Sequence, residues 1–217
     1  MNTKAIIKNT EKFVKQALAK EGTGHDWWHI ERVLNNAKLI NKSEKANWFI
    51  VRLAVLLHDV GDRKVIKKEE DDFSIARNFL RKQRVSQNII EQVMFIIENM
   101  SFSKTLANKR QGVSKEFCVV QDADRLDALG AIGVARAFAY GGSRSRPLYD
   151  PTIRAQKFKN TKEYRTAKSS TIHHFEEKLF LLKDLMNTKT ARRIARRRHL
   201  YTKKFMQEFL AEWKGEC

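Results

Sequence analysis

The sequence predicts an all-α protein, on three observations. Glycine and proline are scarce, 9 and 2 in 217 residues, whereas a fold of many short strands needs more turn residues than that. Apolar residues recur at helical spacing along most of the chain. A composition that is 42% hydrophobic, with 13 Phe and 4 Trp, suits a chain that buries a core rather than a disordered one.

Ile6, Ile7, Phe13, Val14, Ala17 and Leu18 place a first helix over 4–20, ended by Gly22-Thr23-Gly24. A second starts near Asp26, whose carboxylate suits a helix N-terminus, and buries Ile30, Val33, Leu34, Ala37 and Ile40 with His29 at the edge of that stripe. The third, about 46–59, is apolar nearly all round and therefore central to the core. Helices near 72–84 and 86–99 follow, then a polar loop around 100–113. Phe117-Cys118-Val119-Val120 leads into Asp122-Ala123-Asp124-Arg125-Leu126-Asp127. Ala128 to Tyr140 reads as a small-residue helix ended by Gly141-Gly142. Residues 141–168, with both prolines, form the longest irregular segment. Helices about 169–186 and 188–213 close the chain. Neither a repeat nor a linker divides it, so a single domain over 1–217 is expected, with the chemistry in about 20–130 and the basic loop and C-terminal helices packed on it.

Charge and cysteine usage narrow the function classes. The formal net charge is +18, and residues 141–217 hold 19 Lys and Arg against 8 Asp and Glu. Such a surface meets anions: nucleic acid, membrane headgroups or a phosphorylated small molecule. No apolar run approaches the roughly 18 residues of a membrane span, and lysines interrupt the N-terminal segment where a signal peptide would be apolar. Cys118 and Cys217 form no framework, which points to a reducing cytoplasm.

The chemistry-bearing stretch is Leu56-Leu57-His58-Asp59-Val60-Gly61. Adjacent helical side chains diverge by about 100°, so His58 and Asp59 can share an ion only at a helix end, where Gly61 lets the backbone turn away. His29 upstream and Asp124 downstream complete a set of two imidazoles and two carboxylates. That set balances a 2+ charge and, on a six-coordinate ion, leaves about two positions for water or substrate. The expected cofactor is one divalent metal held by His29, His58, Asp59 and Asp124, manganese first, with Mg, Fe, Co, Ni or Zn compatible.

These residues, with Gly24-His25-Asp26-Trp27-Trp28-His29-Ile30, Gln121 to Gly133, Tyr140-Gly141-Gly142 and Ile172-His173-His174-Phe175 to Leu179, resemble the HD-domain superfamily of helical metal-dependent phosphohydrolases. The resemblance extends over nearly the whole chain and is to the bacterial YpgQ/YedJ-like branch. It implies a single-domain HD-type bundle in which a metal-activated water attacks a phosphoester or phosphoanhydride, with nucleotides as the commonest substrates. By position, Asp62 resembles the acid that orients the water or relays its proton, while His25, four residues before His29 and so near the same face of a helix that begins early, is placed to contact a phosphate or donate a proton. Two features of other branches are missing. No histidine lies between His58 and His173, so one metal is expected, and Val60-Gly61-Asp62 follows the pair where guanosine-polyphosphate hydrolases carry Glu-Asp.

Candidate phosphate-binding residues are Lys64, Arg125, Arg144, Arg146, Lys157, His174 and Lys178, the last two sharing a helix face. The expected activity is a nucleoside triphosphate pyrophosphohydrolase. A 5′-nucleotidase-type phosphomonoesterase, or a basic nucleic-acid-binding or regulatory protein with a structural metal, is the alternative. The Arg192 to Arg198 cluster fits the latter in charge but lacks a reading motif. A homodimer is compatible with the sequence.

Overall fold

A computed structural model describes residues 2–19, 21–22, 24–66, 70–107, 113–158, 160, 162–163 and 167–216. Among them every regular element is a helix, as the sequence predicts. In chain order these are α1 (Thr3–Ala17), α2 (Trp27–Glu44), α3 (Trp48–Leu57), α4 (Arg63–Ile66), α5 (Ser74–Lys82), α6 (Gln87–Asn99), α7 (Phe102–Ala107), α8 (Lys115–Asp127), α9 (Gly130–Ser143), α10 (Thr171–Glu177), a 3-10 helix (Leu179–Leu185) and α11 (Lys189–Lys214).

Helix α3 is the axle. Residues Leu53 to Leu57 are all fully buried, and α1, α2, α6 and α8 pack around it. A helix apolar on every side gains most by being covered on every side, each large side chain contributing roughly 1.5–3 kcal/mol on burial. Asn47 starts it, its side chain accepting from the Phe49 and Ile50 amides. The most extensive helix pairing is α2 on α8. Asp26 caps α2 by accepting from the His29 amide at 2.8 Å, which fixes His29 in the first turn, facing α8.

Several boundaries differ from expectation. The polar segment after Asn99 contains α7, because Phe102 is buried and pulls a short turn onto the core. Helix α9 runs through Gly141 rather than ending there. A Cβ at Gly141 would lie 2.2 Å from Thr171 Oγ1, so this glycine serves the close approach of α10. The expected helix over 169–186 breaks at Lys178 and continues as a 3-10 turn. Of the Trp27-Trp28 pair, only Trp27 packs against the core; Trp28 is 63% exposed.

The C-terminal helices pack on α8 and α9. Phe138, Phe175, Phe205 and Phe209 form one aromatic cluster, with centroids 5.8–6.2 Å apart. Helix α11 presents small residues, Ala191 and Ala195, inward. Its arginines are not a uniform solvated face. Arg192 donates to the Met186 and Asn187 carbonyls, and Arg198 donates to the Leu126 carbonyl and to Asn36 Oδ1, while Arg193, Arg196 and Arg197 are exposed.

The turn after α3 depends on Gly61. Its φ is +93°, and a Cβ would lie 2.1 Å from the Asp72 carbonyl oxygen, whose own amide donates to the Gly61 carbonyl at 2.7 Å. Gly61→Ala should therefore cost roughly 2 kcal/mol or more, combining a left-handed backbone penalty with a backbone clash. Denaturant unfolding measures this; a change under about 0.5 kcal/mol would show that the turn is not constrained as described.

Candidate metal centre

Helix α3 ends at Leu57, and His58 is its C-cap. His58 Nδ1 donates to the Val55 carbonyl at 2.8 Å, which leaves the Nε2 lone pair free. His29 Nδ1 donates to Asp127 Oδ2 at 2.8 Å, again freeing Nε2. The two free nitrogens lie 3.2 Å apart. Around them stand Asp59 Oδ2, 3.5 Å from His29 Nε2, Asp59 Oδ1, 3.5 Å from His58 Nε2, and Asp124 Oδ1, 3.4 and 3.8 Å from the two imidazoles.

This arrangement fits a divalent cation. Donors about 2.1 Å from one ion stand roughly 3.0 to 3.4 Å apart in octahedral or tetrahedral shells, close to the spacings seen. With their Nδ1 protons committed, the two Nε2 lone pairs face each other and the Asp59 and Asp124 carboxylates, an arrangement that a cation satisfies. The structure thus brings together the four residues singled out by sequence. His25 joins them, its Nδ1 3.0 Å from Asp59 Oδ2, and His25, His29 and Asp59 form a second candidate ligand group.

Three residues at the centre were not foreseen as site residues. Asp127 is buried behind His29 and accepts from Arg32 Nε at 2.8 Å, Arg32 Nη2 at 3.0 Å and Arg136 Nη1 at 2.9 Å. The signals were present: Asp127 is one helical turn beyond Asp124, Arg32 one turn beyond His29, and Arg136 is the only charge between Ala128 and Tyr140.

The ligand cluster opens into a cavity of about 240 Å³. His25, Asp62, Arg125, Arg136, Arg146, His174 and Lys178 line it. The Asp62 amide donates to the Asp59 carbonyl at 3.2 Å, holding that acid beside the donor set. Arg125 reaches the wall, but its guanidinium donates to the Leu185 carbonyl and to Thr105 Oγ1. Two candidates stand elsewhere. Arg144 is exposed and lies over the Tyr140 ring, 5.6 Å from its centroid, and Lys157 is exposed away from the cavity wall. Of the loop that carries both, Arg146, Phe158, Ala167 and Ser169 line the cavity instead. The Lys64 side chain lies outside the described part of the structure.

Burial and then the Arg136 charge push His29 down to about 4, against the opposing bond to Asp127. Burial also disfavours the charged form of His58, but the Asp59 and Asp124 carboxylates and the Val55 carbonyl outweigh it and raise its pKa. For Asp59, burial is overcome by His58 and His25, which hold its carboxyl well below the usual range. Asp127 is likewise lowered: burial is outweighed by the His29 and Arg32 bonds.

These shifts set a pH dependence for the metal-free protein. The unfolded chain protonates His29 at higher pH than the folded one, so stability should fall as pH drops from 6.5 towards 4. His58 acts with the opposite sign: its contribution is present below 6.5 and is lost as pH rises through its raised folded value. Denaturation of chelator-treated protein across this range should show greatest stability near 6.5. A flat profile from 6.5 to 4 would contradict the burial of a neutral His29.

Comparison with known proteins places the site in a family. Residues 27–129 match the HD domain family model. The chain is 37% identical to YpgQ of Bacillus subtilis over 203 residues, 94% of this chain and 91% of that protein. A crystal structure from Lactobacillus plantarum superposes with TM-score 0.88 at 37% identity, covering 99% of this chain and 100% of the other. An HD-superfamily hydrolase from Bacillus thuringiensis superposes at 0.72 with 40% identity, covering 98% and 99%. YpgQ crystallised in complex with ADP superposes at 0.75 with 34% identity, covering 98% and 96%. With its helical bundle and its His29, His58-Asp59 and Asp124 cluster, the chain belongs to the HD domain family.

Proposed function

We propose that this chain is a metal-dependent phosphohydrolase acting on nucleotides, converting nucleoside triphosphates to monophosphates and pyrophosphate. The observation that carries the reading is a four-donor cluster at one end of a cavity whose wall also bears Arg136, Arg146 and Lys178. That the related YpgQ has been crystallised with ADP supports a nucleotide as the occupant.

In this reading His29, His58, Asp59 and Asp124 hold one divalent ion, manganese first among candidates. When bound, such an ion supplies Lewis acidity and lowers the pKa of a water to near neutrality. The protein does the rest. Asp62, held beside Asp59, orients the attacking water and takes its proton at the carboxylate. The water oxygen bonds to the α-phosphorus, the α–β bridging P–O bond breaks, and pyrophosphate leaves with the electron pair. His25, whose Nδ1 stands 3.0 Å from Asp59 Oδ2, lines the cavity beside the donor set, where it meets the substrate. Arg146, His174 and Lys178 offset the charge of the leaving pyrophosphate.

Product analysis tests this. Protein stripped of metal, reloaded with Mn and given a panel of nucleoside tri-, di- and monophosphates should release pyrophosphate and monophosphate from the triphosphates. Phosphate released from monophosphates instead would make it a phosphomonoesterase, and no turnover with any metal would sink the nucleotide reading. His58→Ala or Asp59→Ala should abolish turnover. Asp127→Asn, which removes the carboxylate orienting His29, should weaken Mn binding by about 10- to 100-fold in a calorimetric titration; unchanged affinity would mean that His29 needs no such support.

A further inference from the structure

One cation in the cavity wall is held differently from the others. Arg136 projects from α9 beside the donor cluster, and its Nη1 donates to Asp127 Oδ2, the same oxygen that receives the His29 Nδ1 proton. Its stem packs against the backbone of Gly24: a Cβ there would lie 3.4 Å from Arg136 Nε and 3.5 Å from Cγ. Gly24 has φ +87° and immediately precedes His25, so the loop that delivers His25 also confines Arg136. Its side chain is only 16% exposed. A guanidinium anchored at one end and packed along its stem has little rotamer entropy left to lose on binding.

Local charge gives this anchoring a consequence. Asp127 carries one negative charge and receives two guanidiniums, while His29 Nδ1 takes up the oxygen that Arg136 also meets. Arg32 already meets the carboxylate through two hydrogen bonds, and Arg32 does not line the cavity whereas Arg136 does. The surplus positive charge is therefore carried on the member that faces the cavity. A guanidinium has five N–H donors in a planar fork, and Asp127 takes one of those on Arg136, leaving others for a phosphate.

We propose that Arg136 is a substrate-binding residue that grips a phosphate group of the nucleotide, preorganised by Asp127 and Gly24. The inference rests on the reading of the cavity as a nucleotide site. It also makes one carboxylate serve both ends of the reaction, fixing His29 towards the ion and Arg136 towards the phosphate.

Calorimetric titration of the Mn-loaded protein with ADP and with inorganic pyrophosphate decides it. Wild type, Arg136→Ala, Arg136→Lys and Arg32→Ala are compared, with Mn affinity and melting temperature recorded for each. Arg136→Ala should weaken both ligands by roughly 10- to 100-fold, the loss expected for a charge-assisted bond to phosphate. Mn affinity should stay within about 3-fold, because Arg32 still holds Asp127. Arg136→Lys should recover part of the loss through charge alone. Arg32→Ala, which removes two of the three arginine bonds to Asp127, should weaken ADP by less than about 3-fold. If Arg136→Ala binds both ligands as wild type does, or if Arg32→Ala weakens them equally, Arg136 acts only through Asp127 and the proposal fails. Should Arg136→Ala not fold, Arg136→Gln is judged by the same criteria. If wild type binds neither ligand, the nucleotide reading itself falls and takes this inference with it.

Discussion

The hydrogen bond from His29 Nδ1 to Asp127 joins residues 98 positions apart and ties α2 to α8 at the point where the donor cluster forms. A buried carboxylate is costly unless it is paired and fully hydrogen-bonded. Asp127 meets that condition only because Arg32, Arg136 and His29 all reach it, from two other helices. The same bond selects the His29 tautomer and so decides which nitrogen faces Asp59 and Asp124. Helix packing, imidazole orientation and the direction of Arg136 are thus linked through one side chain.

A second polar knot lies on the other side of α8. Asp122 accepts from the backbone amides of Asn187 and Thr188 at 2.8–3.1 Å and from the Asn187 side chain at 2.9 Å. Desolvation raises its pKa and those bonds oppose the rise. The three aspartates of the Asp122 to Asp127 stretch therefore divide the labour. Asp122 fastens the start of α11, Asp124 faces the candidate ion, and Asp127 orients His29. An α-helix makes this division available: Asp122, two positions and about 200° from Asp124, faces α11, whereas Asp124 and Asp127, one turn apart, both reach His29.

The large positive charge also divides. Arg32, Arg125, Arg192 and Arg198 are spent on internal carboxylates and helix-end carbonyls. Carbonyls at helix C-termini are left without intrahelical partners, and a nearby guanidinium both satisfies them and suits the dipole. This is why Arg125, read from sequence as a phosphate contact, acts first as a strut between α8 and the end of the 3-10 helix. Arg146 and Lys178 stay at the cavity wall because their elements, the loop after α9 and the end of α10, border it.

Much of this was legible in the chain. Apolar periodicity and the scarcity of breakers fixed the helical class, since a helix records its buried face every third or fourth residue. The cap at Asp26, the apolar α3 and the glycine after His58-Asp59 were local signals, and they located His29, His58, Asp59 and Asp124. What sequence could not supply was the direction of long charged side chains. Arg32 and Arg136 have several flexible bonds each, and although their spacing marks them as candidates, no local feature shows that both reach Asp127 on α8. Arg144 and Lys157 looked equivalent to Arg146 because all three lie in one basic segment; only the course of the loop separates them. Local chemistry determined which residues form the candidate site, and tertiary packing decided which cations face it, because pairing across helices depends on where the helices meet.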